Sequence, residues 1–377
     1  MFSDIRPYRD DEVTGVIQNL INDKEFQSSI AVYAMPRLSK FLPRLSRWLI
    51  KLSLARRTQR LSSVHDIQLE SAKYMYKLIK RSTDGFSHTG LDKLDMSKPT
   101  LFISNHRDIA LDPALINVAL HESGHSTVEI AIGDNLLSKP WISDVMRLNK
   151  SFIVKRSEKT KRAMLTASKK LSAYVQHTLY DNQQHIWIAQ REGRAKDGLD
   201  KTNSALISML MLNKDKQQSV SDYLKQLNLV PVSIAYEFDP CDIDKAKELA
   251  QIEATGSYQK AENEDIRSIT QGILGHKGQV HVAFGQPLNG EFADSKAIAA
   301  AIDQQIIANY RLYDSNLSAH AILNGQPEQQ NSQIMAQLNQ RMKSLDALQQ
   351  RWLLTMYANP VVSKQTLPKD SQTAGEI

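Results

Sequence analysis

The sequence predicts an α/β domain whose sheet is covered by helices on both faces, preceded by a helical region. Two patterns carry this expectation. From about residue 86, short apolar runs rich in Val, Ile and Phe alternate with longer stretches of helical period, as strands joined through helices do. Before that point apolar residues recur at three and four, which places them on one face of a helix. A chain of 377 residues, 41% of them hydrophobic, is long enough to bury such a core.

The opening "MFSDIRPYRDDEV" is charged and has no apolar centre, so it does not read as a secretory signal. Of a net charge of +6, much collects in residues 35 to 61, which hold eight basic side chains and no acidic one. Leu38, Phe41, Leu42, Leu45, Trp48, Leu49 and Leu52 share one helical face there, with Pro43 bending the helix or marking its first turn. Such a helix suits a bilayer interface, its apolar face buried and its cations set against anionic headgroups. A core-packed helix with a solvated basic face is the plainer alternative. Nucleic acid is a third, and no recognisable binding module supports it.

Helical period continues through "HDIQLESAKYMYKLIKRST", and "GFSHTGLDKLDMSKP" then breaks it, which sets a domain boundary near residue 85. Strands are expected at "TLFISN", "STVEIAIGD", "SFIVKR", "HIWIAQ", "LVPVSIAYE" and "GQVHVAFGQPL". The intervening "DPALINVALHE", "WISDVMRLN", "TKRAMLTASKKLSAYVQHTLYD" and "SALISMLML" read as helices, as do residues 294–312 and 330–357. The expected organisation is a helical region over 1–85, the α/β domain over 86–290, C-terminal helices over 291–360 and a polar, disordered tail over 361–377. No stretch approaches the roughly 18 to 20 apolar residues of a membrane-spanning helix. One cysteine, Cys241, excludes an intrachain disulfide and a cysteine-rich zinc site, and points to a reducing compartment.

Polar clusters follow three of the expected strands. After "TLFIS" come Asn105, His106, Arg107, Asp108 and Asp112; after "SFIV", Lys155 and Arg156; after "HIWIAQ", Arg191, Glu192, Gly193, Arg194 and Lys196. Strand ends are where α/β folds place their sites. An imidazole, with an unperturbed pKa near ~6.5, can take a proton near neutrality, and a carboxylate on its other nitrogen fixes the tautomer. Clustered cations suit a phosphate. No Ser or Cys lies in a strained glycine elbow and no glycine-rich nucleotide loop is present, so the His is expected to activate a substrate hydroxyl directly. Against this stand plainer readings: a loop histidine, a solvated strand end at Lys155 and Arg156, and a surface ion pair between Glu192 and Arg194 worth ~0 to 1 kcal/mol.

Taken together and in order, the blocks "SNHRDIALD", "SFIVKRS", "AQREGRAKDG" and "LVPVSIAYE" resemble the glycerolipid acyltransferase superfamily, which includes glycerol-3-phosphate and 1-acylglycerol-3-phosphate acyltransferases. "VHVAFGQPL" resembles its closing strand, and the likeness covers about residues 86 to 290. The resemblance implies a mixed central sheet flanked by helices. It also implies an O-acyltransferase that moves a fatty acyl group from acyl-CoA or acyl-carrier protein to a glycerol phosphate or lysophospholipid hydroxyl, without metal or bound cofactor.

In that reading His106 is the base and Asp112 its orienting carboxylate, with Asp108 as the alternative. The family spacing falls on Leu111, so one extra loop residue is assumed. Asn105, Arg107, Lys155, Arg156, Glu192, Gly193, Arg194 and Lys196 would bind the acceptor, and Pro231 would lie near the acyl chain. Gly193 and Arg194 are adjacent, where family members usually have a residue between them. The basic helix would seat a cytoplasmic protein on the inner face of the membrane. Two rivals are a non-catalytic lipid-binding scaffold of the same fold and a nucleic-acid binder, the latter marked by steep salt dependence.

Overall fold

A computed structural model describes residues 2–137, 139–326 and 331–368. The chain forms two compact units, Met1–Tyr74 with Glu129–Ala167, and Met75–Val128 with Ser168–Ile377. They do not follow the boundary expected near residue 85, because Glu129–Ala167 clusters with the N-terminal helices. Seven strands run in chain order: β1 (Gly85–Thr89), β2 (Leu101–Ser104), β3 (Glu129–Gly133), β4 (Ser151–Val154), β5 (Ile186–Ala189), β6 (Leu229–Tyr236) and β7 (Gln279–Phe284).

In the larger unit the strand order is β1-β7-β6-β2-β5. β6 and β7 pair antiparallel, while β1 with β7, β6 with β2 and β2 with β5 pair parallel. The sheet is therefore mixed, as the resemblance implied. Every residue of β2 and of β6 is buried, which is what a strand covered on both faces requires. Their near-continuous apolar runs follow from that burial. Because β2, β5 and β6 point the same way, the chain leaves β2 at Asn105 and β5 at Gln190 on the same edge of the sheet. The Gln190 amide donates to the Ser104 carbonyl there at 2.8 Å.

The helix Leu111–Glu122 follows β2 and buries Leu111, Leu115, Ile116, Val118, Ala119 and Leu120. Residues 330–357, expected as one helix, form two, Ser332–Met342 and Ala347–Gln365. The second begins at Asp346, whose carboxylate accepts the Gln349 amide at 2.9 Å, a capping box that the periodicity alone does not reveal. It continues through Pro360 to Gln365, so the first part of the expected tail is helical. Residues 369–377 of that tail lie outside the described residues. Both helices pack into a core of Phe238, Ala319, Ile334, Leu338, Leu353, Leu354 and Tyr357.

The smaller unit holds the parallel pair β3 and β4 and the helices Asp10–Asn22, Lys24–Ala34, Pro36–Phe41 and Pro43–Thr58. Pro36 and Pro43 each open a helix, where a missing N–H costs nothing. A core of Val13, Val16, Ile17, Leu20, Ile21 and Leu148 takes Leu54 and Ala55 against it. The apolar stripe of residues 35–61 is turned away from that core. Phe41 is 75% exposed and Trp48 59%, with Leu42, Leu45 and Leu52 exposed as well, while Ser46 and Ile50 are the buried side chains. This corrects the core-packed alternative for the stripe. Among the described residues, no helix is long and apolar enough to cross a membrane.

Candidate active site

The loop leaving β2 is held by side chains that do the work of a missing strand. Asn105 sits where β2 ends, and its amide donates to the Ile234 carbonyl at 3.0 Å and accepts the Ile234 N–H at 2.8 Å. The ladder to β6 is thereby continued one residue further by a side chain. Asn105 also donates to Asp200 at 3.1 Å, so it is a frame residue rather than a ligand contact.

His106 follows, with 14% of its side chain exposed beside the fully buried Asp112. The His106 Nδ1 lies 2.9 Å from Asp112 Oδ2. A carboxylate can only accept, so Nδ1 carries the proton and the free lone pair is left on Nε2. The indole of Trp187, on β5, meets the imidazole edge-on at 6.1 Å between ring centres, and its Nε1 donates to Ser104 Oγ at 2.9 Å.

Asp112 collects four donors. Oδ2 accepts from His106 and from the backbone amides of Arg107 at 2.7 Å and Asp108 at 3.0 Å. Oδ1 accepts the Tyr236 hydroxyl at 2.9 Å. Asp108, the alternative partner, is occupied elsewhere: its Oδ1 accepts the amides of Ala110 at 2.9 Å and Leu111 at 2.8 Å, capping the helix that carries Asp112. Burial, and then the neighbouring Asp112 charge, push the Asp108 carboxyl above its ordinary pKa.

Arg107 is turned inward. Its guanidinium is buried and donates to Asp200 at 2.6 Å and to the Gly198 carbonyl at 3.3 Å, 5.3 Å from the Tyr310 ring centre. Burial works against its charge, but the facing Asp200 carboxylate more than offsets this and the guanidinium is held protonated. Lys245 donates to the Arg107 carbonyl at 2.8 Å and pairs with Asp239. Arg107, expected to grip a phosphate, is thus engaged by partners inside the protein. The partner responsible stands 93 residues away in sequence, beyond any local pattern.

The loop after β5 is tied to the same edge, its Ala195 amide donating to the His106 carbonyl at 2.7 Å. Gly193 takes a left-handed φ of +72°, which favours glycine, and Glu192 is exposed. Arg194 donates from Nη2 to Ser268 Oγ at 3.3 Å, while its Nη1 is buried with no hydrogen-bond partner among the described residues. Lys196 pairs with Glu248. Gly198, at φ +79°, lies so close to the Met356 carbonyl that a Cβ would collide with it, and Asn359 donates to the Asp197 carbonyl at 2.6 Å.

Pro231 is buried within β6 opposite Ile103, its carbonyl accepting the Gly285 amide at 2.8 Å. It presents no exposed surface to an acyl chain. Lys155 and Arg156 belong to the smaller unit. There Lys155 pairs with Asp4 at 2.9 Å, which raises the ammonium pKa, and the Arg156 amide donates to Asp134 at 3.0 Å. Cys241 is buried, and burial followed by the Asp239 charge pushes its thiol up to about 12, so it supplies no thiolate at neutral pH. Sequence reasoning missed Tyr236 and Asp200. Tyr236 is the polar tip of an apolar strand, and polar groups that end such strands were a usable signal.

Residues 85–190, which span the segment from β1 to the end of β5 and include His106 and Asp112, match the family model described as Acyltransferase. No curated protein matches the sequence. Among solved structures the chain is similar to the 1-acyl-sn-glycerophosphate (LPA) acyltransferase PlsC from Thermotoga maritima. The identity is 11% and the TM-score 0.38, over 75% of this chain and 95% of that one. A likeness so distant carries no argument about substrate, and the weight rests on the family match. Over residues 85–190 the chain is thus similar to the acyltransferase family, and that match is what supports an acyltransferase.

Proposed function

We propose that the protein is a membrane-peripheral O-acyltransferase that passes a fatty acyl group from acyl-CoA or acyl-carrier protein to a hydroxyl of a glycerol phosphate or lysophospholipid. The observation that carries this reading is the His106–Asp112 hydrogen bond, 2.9 Å long, at the carboxyl end of a central strand. His106 Nε2 takes the proton of the acceptor hydroxyl as that oxygen attacks the thioester carbonyl. The carbonyl becomes a tetrahedral oxyanion, and the thiolate departs with the proton returned by the imidazolium. Asp112 holds the ring in the one tautomer that permits this. The half-buried Arg194, with Nη1 unpaired among the described residues, is suited to the acceptor phosphate, since an unsatisfied guanidinium edge gains most from an anion. Lys155 and Arg156 rest on the motif alone, their partners in the smaller unit being Asp4 and Asp134.

Labelled acyl-CoA and acyl-carrier protein, each offered with glycerol phosphate and lysophospholipids, test the reading. Transfer of label to a phosphate-bearing acceptor is the expected result. Intact thioester in every arm would return the protein to the lipid-binding scaffold reading.

The exposed stripe Phe41, Leu42, Leu45, Trp48 and Leu52, among the cations of residues 35–61, supports seating on the anionic inner face of a membrane. Each buried aromatic contributes roughly 1.5–3 kcal/mol and each cation near the surface about 1 kcal/mol. Phe41→Ser with Trp48→Ser is expected to weaken sedimentation with anionic vesicles at least ~10-fold, and zwitterionic vesicles to bind the parent chain less well. Equal binding by the double variant would refute the assignment of this surface.

A further inference from the structure

We infer that Tyr236 is a positioning residue for the base, orienting Asp112 rather than touching substrate. This rests on the acyltransferase mechanism proposed above. Asp112 is fully buried, and both of its carboxylate oxygens are held by hydrogen bonds. Oδ2 receives three N–H donors, all from its own loop. Oδ1 receives one, the Tyr236 hydroxyl at 2.9 Å, from a strand 124 residues on in sequence. That bond anchors the carboxylate to β6, outside its own loop, and through Asp112 helps to fix where the imidazole points.

Three features make Tyr236 dependable in this role. The Asn105 side chain clamps the backbone of Ile234 by two hydrogen bonds, so the position two residues on is registered against the His106 loop. The ring is buried at the end of β6 and cannot exchange Asp112 for water. Burial first, and then the charges of Asp112 and Asp108, hold the phenol pKa well above its ordinary value, with Asp239 acting in the same sense. The hydroxyl therefore remains a donor throughout the neutral range.

Tyr236→Phe removes one oxygen and leaves Oδ1 buried without a donor. A hydrogen bond to a charged group is worth about 1.5–3 kcal/mol, so kcat is expected to fall roughly 10- to 100-fold. KM for thioester and acceptor should stay within about twofold, since no substrate contact is lost. A purely structural role would lower the unfolding midpoint and leave kcat per folded molecule unchanged. In an Asp112→Asn background the same substitution should cost little more, because the group it orients is gone. Unchanged kcat in folded Tyr236→Phe, or an equal loss in both backgrounds, overturns the inference.

Imidazole 15N spectra separate this outcome from failure of the acyltransferase reading. His106, assigned by comparison with His106→Ala, should show a protonated Nδ1 in the parent chain and a mixture of tautomers in Tyr236→Phe, whether or not any thioester is consumed. Identical spectra sink the role of Tyr236 alone. Should the Phe variant not fold, 3,5-difluorotyrosine at position 236 keeps the hydroxyl but strengthens it as a donor. Turnover then falls at constant KM if Tyr236 tunes Asp112, and matches the parent if it does not.

Discussion

His106→Ala is expected to abolish acyl transfer, and Asp112→Asn to reduce kcat by about 10,000-fold, the scale seen when the orienting carboxylate of another imidazole base becomes an amide. The two losses have one origin. Alanine removes the proton acceptor outright. Asparagine keeps the size of the side chain but not its four acceptor contacts, since His106, Arg107, Asp108 and Tyr236 all donate toward position 112. An amide offers one oxygen, and its NH2 group must then face a donor. If that group turns to His106, the ring answers by moving its proton to Nε2, which leaves no base toward the substrate. Steady-state transfer of labelled acyl groups, with folding checked by circular dichroism, measures both variants. Turnover within about tenfold of the parent in either would show that some other group takes the proton.

Asp200→Ala is expected to lower the free energy of unfolding by about 3–5 kcal/mol, read from urea denaturation. The side chains of Arg107 and Asp200 are 8% and 5% exposed, so solvent screens the pair weakly and cannot replace the missing carboxylate. The guanidinium would keep only the Gly198 carbonyl and the Tyr310 face, and its Nε has no hydrogen-bond partner among the described residues even in the parent chain. Asn105 loses the same partner. The residues on either side of His106 are thus released by one substitution, and turnover should fall together with stability. Replacing both Arg107 and Asp200 by Leu should cost less than Asp200→Ala, because no charge is then buried alone. A cost below about 1 kcal/mol for Asp200→Ala would rule out a structural role for the pair.

Strands β2, β5, β6 and β7 were legible because burial on both faces demands apolar runs, and those runs end in polar residues. β1 was not. Gly85–Thr89 is only half-buried and pairs with β7 alone, so Phe86 is its single large apolar residue, and Gly85 with Gly90 just beyond it reads as a break. The helices Asp242–Thr255 and Glu264–Leu274 were missed because their buried faces include Asp242, Lys245, Glu248 and Glu264, residues that periodicity counts as polar. At the site, His106 and a nearby carboxylate could be read from the motif. The choice between Asp108 and Asp112 could not, since it turns on where the next helix begins and which carboxylate caps it. Arg107 and Lys155 looked alike as cations after strands. Only folding reveals that distant aspartates neutralise them.

The close approach of Gly198 to the Met356 carbonyl, with Asn359 holding Asp197, makes the last described helix a prop for the loop whose Gly198 carbonyl accepts from Arg107, although it lies far outside the family-matched span. Shortening the chain to a minimal domain would therefore remove masonry from the site, leaving the Arg194 loop to sag into water. The C-terminal helices are to that extent a foundation for the neighbourhood of His106 rather than an appendage.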